Sequence, residues 1–569
     1  MNLWGELPAT AVIFAACDSV YFLEHAPALV YSADKIAKNV HLHVCNPTPE
    51  VYSLACVLTS TVNIAVTFSF NEVNFPADLN DSARQTYFAC LRFLVLPEIL
   101  PSAGRVLTVD VDCFFNADFD YPDASLGYFP REPLSSSDAR IKAGSHVAAG
   151  VFWLSEENLP LAKKIRENIK TVPLNWFADQ IALHQAVVDA NQPLAHRFDA
   201  QFMDWNFRDG SVIWTGKGDR KTLDQRYVAR KKSLEQKVWQ HCQQDVVILK
   251  PRLDCLFKRS LWRRDQEFPF SDLRSYWSGA AAYLQNRHLN ALVLEAPLWM
   301  FNNTIEPFFP AHTTFYVPHR EAVSFQGGPK TNYYMQTVFP WLFTIDTQGW
   351  GGGGAFVTRF TQQTAFSSTA FDKLSDYIKT GQSKFPQPQQ GWSVQAANIT
   401  RPFIFVPLQL PHDETILYHS DISMAAFVSA LCSWVDGTDF DVEILFKGHP
   451  VNLEAMAPLV DIIATAKKAR YVTDVSIHDL IPAAAAVYVL NSGVGQEAML
   501  HEAPVVAFAR SEYIGAVIKG EIDNLDGTFQ KTLNDAPHSR VERYKCWYAW
   551  YLDEICHDVS AFTTLPGRV

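Results

Sequence analysis

Short runs of β-branched and apolar residues alternate along the chain with longer stretches in which apolar residues recur every three or four positions. "TAVIFAACD" (10–18), "NVHLHVCN" (39–46), "VNIAVTFSF" (62–70) and "RVLTVDVD" (105–112) predict strands. "SARQTYFACLRFLVLPEIL" (82–100) predicts a helix between the last two. Such alternation implies a mainly parallel sheet covered on both faces. From about 215 to 290 the pattern turns basic and helical. It then resumes with "ALVLEAPL", "TTFYVP", "PFIFVPLQL", "DVEILFKGHP", "ARYVTDV", "AAVYVLNSG" and "APVVAFA". The Gly/Gln/Pro-rich stretch "TGQSKFPQPQQGWSVQAANITRP" (380–402) predicts a joint between two halves of this second block. "VERYKCWYAWYLDEICHDV" predicts a long helix near the C-terminus. The expected organisation is α/β: a domain over 1–220, a basic helical connector over 221–289, and a second domain over 290–569. The second domain has halves of about 290–400 and 401–530 and a terminal helix over about 540–556.

At 569 residues and 48% hydrophobic, the chain has material for two or three cores. No run of about 18 uncharged apolar residues appears, and no basic n-region precedes the apolar stretch near the start. A cytoplasmic location is the expectation. The ten cysteines are scattered without a Cys-x-x-Cys, which argues against a zinc knuckle or a disulfide framework. A net charge of −12 argues against nucleic acid as a partner. Between Lys217 and Arg264, however, 14 Lys/Arg stand against 5 Asp/Glu. That stretch is either a solvated helical face or a surface for anionic lipid or phosphate.

Candidate chemistry collects at strand ends. Asp110 and Asp112 close a β-branched strand at i and i+2, where side-chain alternation would put both on one side of the sheet's C-terminal edge. Two carboxylates there suit a hard divalent ion held with a diphosphate. In "EILFKGHP" a strand delivers Lys447 and His449 to its end, where both can donate to an anionic phosphate. In "AAVYVLNSGVGQEAML" Ser492, Gly493 and Gly495 form a small-residue turn into a helix, which lets backbone N–H groups approach a phosphate. "WLFTIDTQGWGGGGAF" places Asp346 before a tryptophan and four glycines, a carboxylate with open backbone around it.

"QTYFACLRFLVLPEILPSAGRVLTVDVDCFFNADF", with "AAGVFWLS" and "NWFADQIALHQAV", resembles the family 8 and related GT-A glycosyltransferases over roughly residues 9–220. The resemblance implies a GT-A domain with a single Rossmann-like mixed sheet. It further implies Mn²⁺ or Mg²⁺ and diphosphate on Asp110 and Asp112, Asp18 near the nucleoside, and Arg92 near the nucleotide-sugar. Asp179 and Gln180, the catalytic candidates of this domain, would contact the transferred sugar or shape its pocket. Family 8 has a further histidine ligand before a Gly-x-x-Lys-Pro-Trp-like segment; here "IWTGKGDRK" has none, and Lys217 is the candidate phosphate contact. "KGHP", "SIHDLIPAAAAVYVLNSGVGQEAM", "PVVAFARSEY" and "FIFVPLQLPHDETILYHS" resemble the bacterial capsule β-Kdo transferases over roughly 290–530. That resemblance implies a GT-B domain of two Rossmann-like halves using CMP-Kdo without a metal. Lys447, His449, Ser476, His478, Ser492, Gly493, Gly495 and Glu497 would bind nucleotide, and Gln409 and Asp413 would line the pocket. Asp346 would be the nucleophile of a retaining transfer.

Together these imply a bifunctional enzyme that builds a Kdo-containing capsular polysaccharide. Its substrates would be nucleotide-sugar donors and an oligosaccharide or lipid-linked acceptor. It would work at the cytoplasmic face of a Gram-negative inner membrane, with peripheral contact to that membrane and to capsule export machinery. Two alternatives stand beside this: another CMP-nonulosonate such as sialic acid as second donor, or one domain acting as an inactive glycan- or partner-binding module.

Overall fold

The computed structural model describes residues 2–131, 144–190, 194–216, 218–252, 270–297, 308–318, 330–361, 369–450 and 454–562. The chain is α/β and divides into two compact units. The first holds the described residues up to Asp245 and the strand Leu292–Pro297. The second holds Val246–Pro251, the helix Phe270–Arg287 and the described residues from His312 onward.

In the first unit an eight-stranded sheet runs Trp4–Gly5, Val66–Asn71, Val40–Cys45, Val12–Asp18, Arg105–Val109, Val147–Ser155, Leu126–Pro130, His196–Arg197. The four strands from Val66–Asn71 to Arg105–Val109 are mutually parallel, and Val147–Ser155 then adds antiparallel. In chain order these parallel strands lie 3-2-1-4, so the connection reverses between Val12–Asp18 and Arg105–Val109. The crevice beyond the C-terminal ends at such a reversal is where open α/β sheets bind ligands. The helix Asp81–Ala103 fills the core with Leu91, Phe93, Val95, Leu96 and Ile99. Among the described residues it is the one helix long and apolar enough to cross a bilayer, and 67% of its apolar window is buried in this core. A polar ladder also lies inside. His41 meets Thr67 Oγ1 and Ser69 Oγ at 2.8 and 2.9 Å, and His43 meets Ser69 Oγ and Asn71 Oδ1, both at 2.9 Å.

The expected connector does not stand apart. Its helix Gln225–His241 buries Tyr227, Leu234 and Val238, spaced to share one face, and packs on the helix Ser19–Lys35. The first unit therefore continues to Asp245, beyond the expected boundary at 220. The strand Leu292–Pro297, assigned by its pattern to the second block, belongs to the first unit. There Ser60 Oγ accepts a 2.7 Å bond from Glu295 N.

The second unit has two sheets. One contains, in order, Val246–Arg252, Thr314–Pro318, Thr331–Gln336, Leu342–Asp346 and Cys556–Asp558; its first two pairings are parallel and the next two antiparallel. The other runs Ala469–Val472, Glu443–Lys447, Phe403–Pro407, Ala486–Val489, Val505–Ala507, Ile518–Lys519 and is parallel throughout. In chain order that is 3-2-1-4-5-6, the doubly wound arrangement, with its reversal between Phe403–Pro407 and Ala486–Val489. The expected terminal helix is Pro537–Trp550, continued by one π turn, Tyr551–Ile555. Its Tyr544, Trp547 and Tyr548 are buried in the same apolar cluster as Phe339, Phe403 and Val487.

Candidate functional site

In the second unit a cavity of about 180 Å³ opens at the reversal of the doubly wound sheet. Three adjacent strand ends and the loops after them supply Gln409, Lys447, His449, Ser492 and Gly493, and the following segments supply Asp413 and Glu497. Lys447 is buried at its strand end, and desolvation lowers its pKa while Asp474 and Glu497 oppose. The His449 ring, beside Phe385 at 5.2 Å, is pushed down to about 4, first by burial and then by Lys447 and His412, against Asp413. At neutral pH it is therefore a neutral single donor. An arriving phosphate would raise its pKa and draw in a proton.

Gln409 ties the strand ends together. Its Nε2 donates to Asn491 Oδ1 and Thr415 Oγ1, both at 3.0 Å, and Asp413 Oδ1 accepts from Thr415 N at 2.9 Å. Burial raises Glu497 to about 7; the Ser383 hydroxyl, which donates to Oε1, and the Lys384 and Lys447 charges pull the other way.

Not every expected residue reaches the cavity. Gly495 does not line it: a side chain there would come within 2.3 Å of the Tyr513 hydroxyl, itself bonded to the Ser492 carbonyl. Close packing under the turn accounts for this glycine. Ser476 caps the helix Ile477–Ala483 by accepting from His478 N, and His478 Nδ1 pairs with His501 Nε2 at 3.1 Å, away from the lining. Asp346 is buried and does not line the cavity. Its Oδ1 accepts from Gln348 N (2.7 Å) and Gly349 N (3.3 Å), and its Oδ2 accepts from Phe356 N (3.2 Å). These bonds shape the glycine turn. Gly351, at φ 53°, and Gly352 form cavity wall, and a side chain on Gly352 would strike the Arg510 carbonyl at 2.3 Å. Sequence pattern missed Ser383, Lys384, His419, Arg510 and Glu512 as lining residues. Ser383 and Lys384 sit in the Gly/Gln/Pro-rich joint, whose composition signals only a linker.

In the first unit the strand ends at Val109, so Asp110 and Asp112 stand in the turn that follows. Buried Arg92 pairs with Asp110 Oδ1 at 2.5 Å and Asp179 Oδ2 at 3.5 Å and donates to the Ala149 carbonyl at 3.1 Å. Asp112 meets Lys221 Nζ at 3.3 Å. Burial and the charge of Asp110 raise Asp112 to about 7, against Lys221; burial raises Asp179 to about 6, against Arg92. Gln180 Oε1 accepts from Ser145 Oγ at 2.9 Å. Asp18 caps the helix Ser19–Lys35 by accepting from Tyr21 N at 2.8 Å. Lys217 lies outside the described residues. The set does not fit a divalent ion as arranged: each carboxylate of the pair already faces a cation of this chain. Among the described residues no group of three or more His, Cys, Asp or Glu converges as metal ligands.

Residues 366–527, which carry the doubly wound sheet and most of its cavity loops, match the family model "Capsule polysaccharide biosynthesis protein". This part of the chain is similar to capsule polysaccharide proteins. Among solved structures, the β-Kdo 2,7 transferase KpsC of Thermosulfurimonas dismutans matches at 14% identity over 50% of this chain and 89% of its own, with a TM-score of 0.28. No curated protein matches the chain.

Proposed function

We propose that the chain is a capsule-polysaccharide glycosyltransferase with two transfer sites, a GT-B site in the second unit and a GT-A site in the first. One observation carries the reading: Lys447, His449 and the Ser492–Gly493 turn converge at the reversal of a doubly wound sheet, inside the segment similar to capsule biosynthesis proteins. Strand ends at such a reversal, with a buried ammonium, an imidazole N–H and backbone donors, suit the phosphate of a CMP-sugar leaving as CMP. The donor proposed is CMP-β-Kdo.

For a retaining transfer Asp346 is the proposed nucleophile. Its Oδ2 takes a single 3.2 Å bond and keeps lone pairs for attack, but the glycine turn must part to expose it. The three backbone bonds favour a second reading, in which Asp346 only positions that turn. The first unit would take a hexose or N-acetylhexosamine from a nucleoside-diphosphate sugar, with Arg92 and Asp179 at the reacting end.

Incubating the full chain with CMP-Kdo, CMP-sialic acid and a panel of UDP-sugars, then reading released nucleotide and product mass, tests this. CMP release from CMP-Kdo supports it. Preference for CMP-sialic acid changes the donor, and release from no donor rejects the reading.

A further inference from the structure

The segment in which the family 8 histidine is missing supplies a lysine instead. Lys221, on the short helix Arg220–Leu223, directs Nζ to Asp112 Oδ2 at 3.3 Å and to the Tyr21 hydroxyl oxygen at 2.6 Å. Its side chain is 20% exposed, and its setting is built. Gly216 N donates to the Asp112 carbonyl at 3.2 Å, and the Tyr227 hydroxyl donates to the same carbonyl at 2.5 Å. A side chain on Gly216 would lie 3.0 Å from Asp112 Oδ2 and 3.1 Å from Lys221 Cβ. The strand Ile213–Thr215 pairs with Cys113–Phe115, which fixes the approach of this segment to the aspartates.

We propose that Lys221 is the built-in cation of the first unit's anion site: with Arg92 it meets the charge of a nucleoside diphosphate, and the site holds that ligand without a divalent ion. One oxygen of each carboxylate is already met by a cation of this chain, Asp110 Oδ1 by Arg92 and Asp112 Oδ2 by Lys221, so much of the charge that a divalent ion would neutralise is balanced without it, and the partly exposed Lys221 can turn Nζ to an arriving diphosphate. Lys221 carries three N–H donors, two of them directed at Asp112 and Tyr21, and Arg92 carries five. This inference rests on reading the first unit as a nucleoside-diphosphate-sugar site.

The test is calorimetric titration of UDP and GDP into the full chain, in EDTA and in Mn²⁺, for wild type, Lys221→Ala and Lys221→Arg. Far-UV circular dichroism and the melting transition report that each variant is folded. In EDTA the wild type should bind one of the diphosphates, with affinity within about threefold of that in Mn²⁺. Lys221→Ala should lose at least about tenfold, as expected for a charge-assisted bond, and Lys221→Arg should keep most of the affinity. Binding that requires Mn²⁺, or that is indifferent to Lys221→Ala, overturns the role of the lysine while leaving the diphosphate site standing. Binding of neither diphosphate under either condition overturns the site itself. If Lys221→Ala fails to fold, Lys221→Gln, which keeps most of the side chain and drops its charge, takes its place with the same expected loss, and wild-type binding in EDTA against Mn²⁺ tests the metal-free claim by itself.

Discussion

Replacing Asp346 by Asn and by Ala separates its two possible roles. Asn can keep an oxygen toward Gln348 N and Gly349 N, but its amide group then opposes the buried Phe356 N–H, now 3.2 Å from Oδ2. Leaving that one donor unpaired costs about 1–3 kcal/mol. Ala gives up the two half-buried bonds as well, at about 1 kcal/mol each. For a unit of this size each kcal/mol moves the melting temperature by about 2–4 °C, so Asn should lower it by roughly 2–12 °C and Ala by more. At 25 °C both variants should stay folded. If Asp346 attacks the donor, Asp346→Asn should nevertheless lose about three orders of magnitude or more in Kdo transfer, far beyond its stability cost. Calorimetry gives the melting shift, and CMP release gives the rate. Intact mass of wild type trapped with CMP-Kdo should show an adduct on the peptide holding Asp346. An Asn variant that melts lower yet transfers within about tenfold of wild type would refute the nucleophile and leave Asp346 as the residue that holds the glycine turn.

Burial keeps His41 and His43 neutral in the folded first unit, His43 down to about 4. As pH falls from 6.5 toward 4, the unfolded chain takes up protons that the folded one excludes. Stability should therefore fall with pH across that window, by about 3 kcal/mol for His43 alone, with His41 adding in the same direction. Urea melts of wild type and a His41→Gln/His43→Gln variant at pH 7 and 4.5 check this; equal slopes would contradict it. Gly495→Ala should cost about 1–3 kcal/mol by overpacking against Tyr513, read as a lower urea midpoint. An unchanged midpoint would show that the turn relaxes freely. The basic helix tests membrane contact. Lys231 is already engaged by Glu24 and Glu235, so binding to anionic liposomes should depend on Arg230 and exposed Lys232 and weaken with salt, given a screening length of about 8 Å near physiological ionic strength. Co-sedimentation unmoved by salt and by neutral substitutions there would reject that contact.

Parallel strands buried on both faces are near-continuous apolar runs, and nearly all of them were legible: Val12–Asp18, Val40–Cys45, Phe403–Pro407, Glu443–Lys447 and Ala486–Val489 fall where the pattern predicts. Strand ends were legible as well, which is why Lys447, His449, Ser492 and Asp413 meet on one cavity. Thr331–Gln336 and Leu126–Pro130, each parallel to one neighbour and antiparallel to the other, were not, because polar and aromatic positions interrupt their apolar signal. Val246–Arg252 was hidden by the surrounding basic residues. Local pattern also cannot say that Lys221 would fold back onto Asp112 across 109 positions, nor that Lys384 of a linker would face Glu497. Gly495 shows the converse error: a glycine in a plausible phosphate turn whose reason is the Tyr513 hydroxyl beneath it.

In the proposed function the second unit's cavity binds a CMP phosphate through Lys447, His449 and the Ser492 turn. Calorimetric titration of CMP into wild type, Lys447→Met and His449→Ala tests it most directly, with UDP as the comparison ligand in each. CMP binding should weaken at least about tenfold in Lys447→Met and by a smaller factor in His449→Ala, with proton uptake on binding lost in His449→Ala and UDP affinity unchanged throughout. CMP affinity equal in all three proteins, or no CMP binding by wild type, would contradict it.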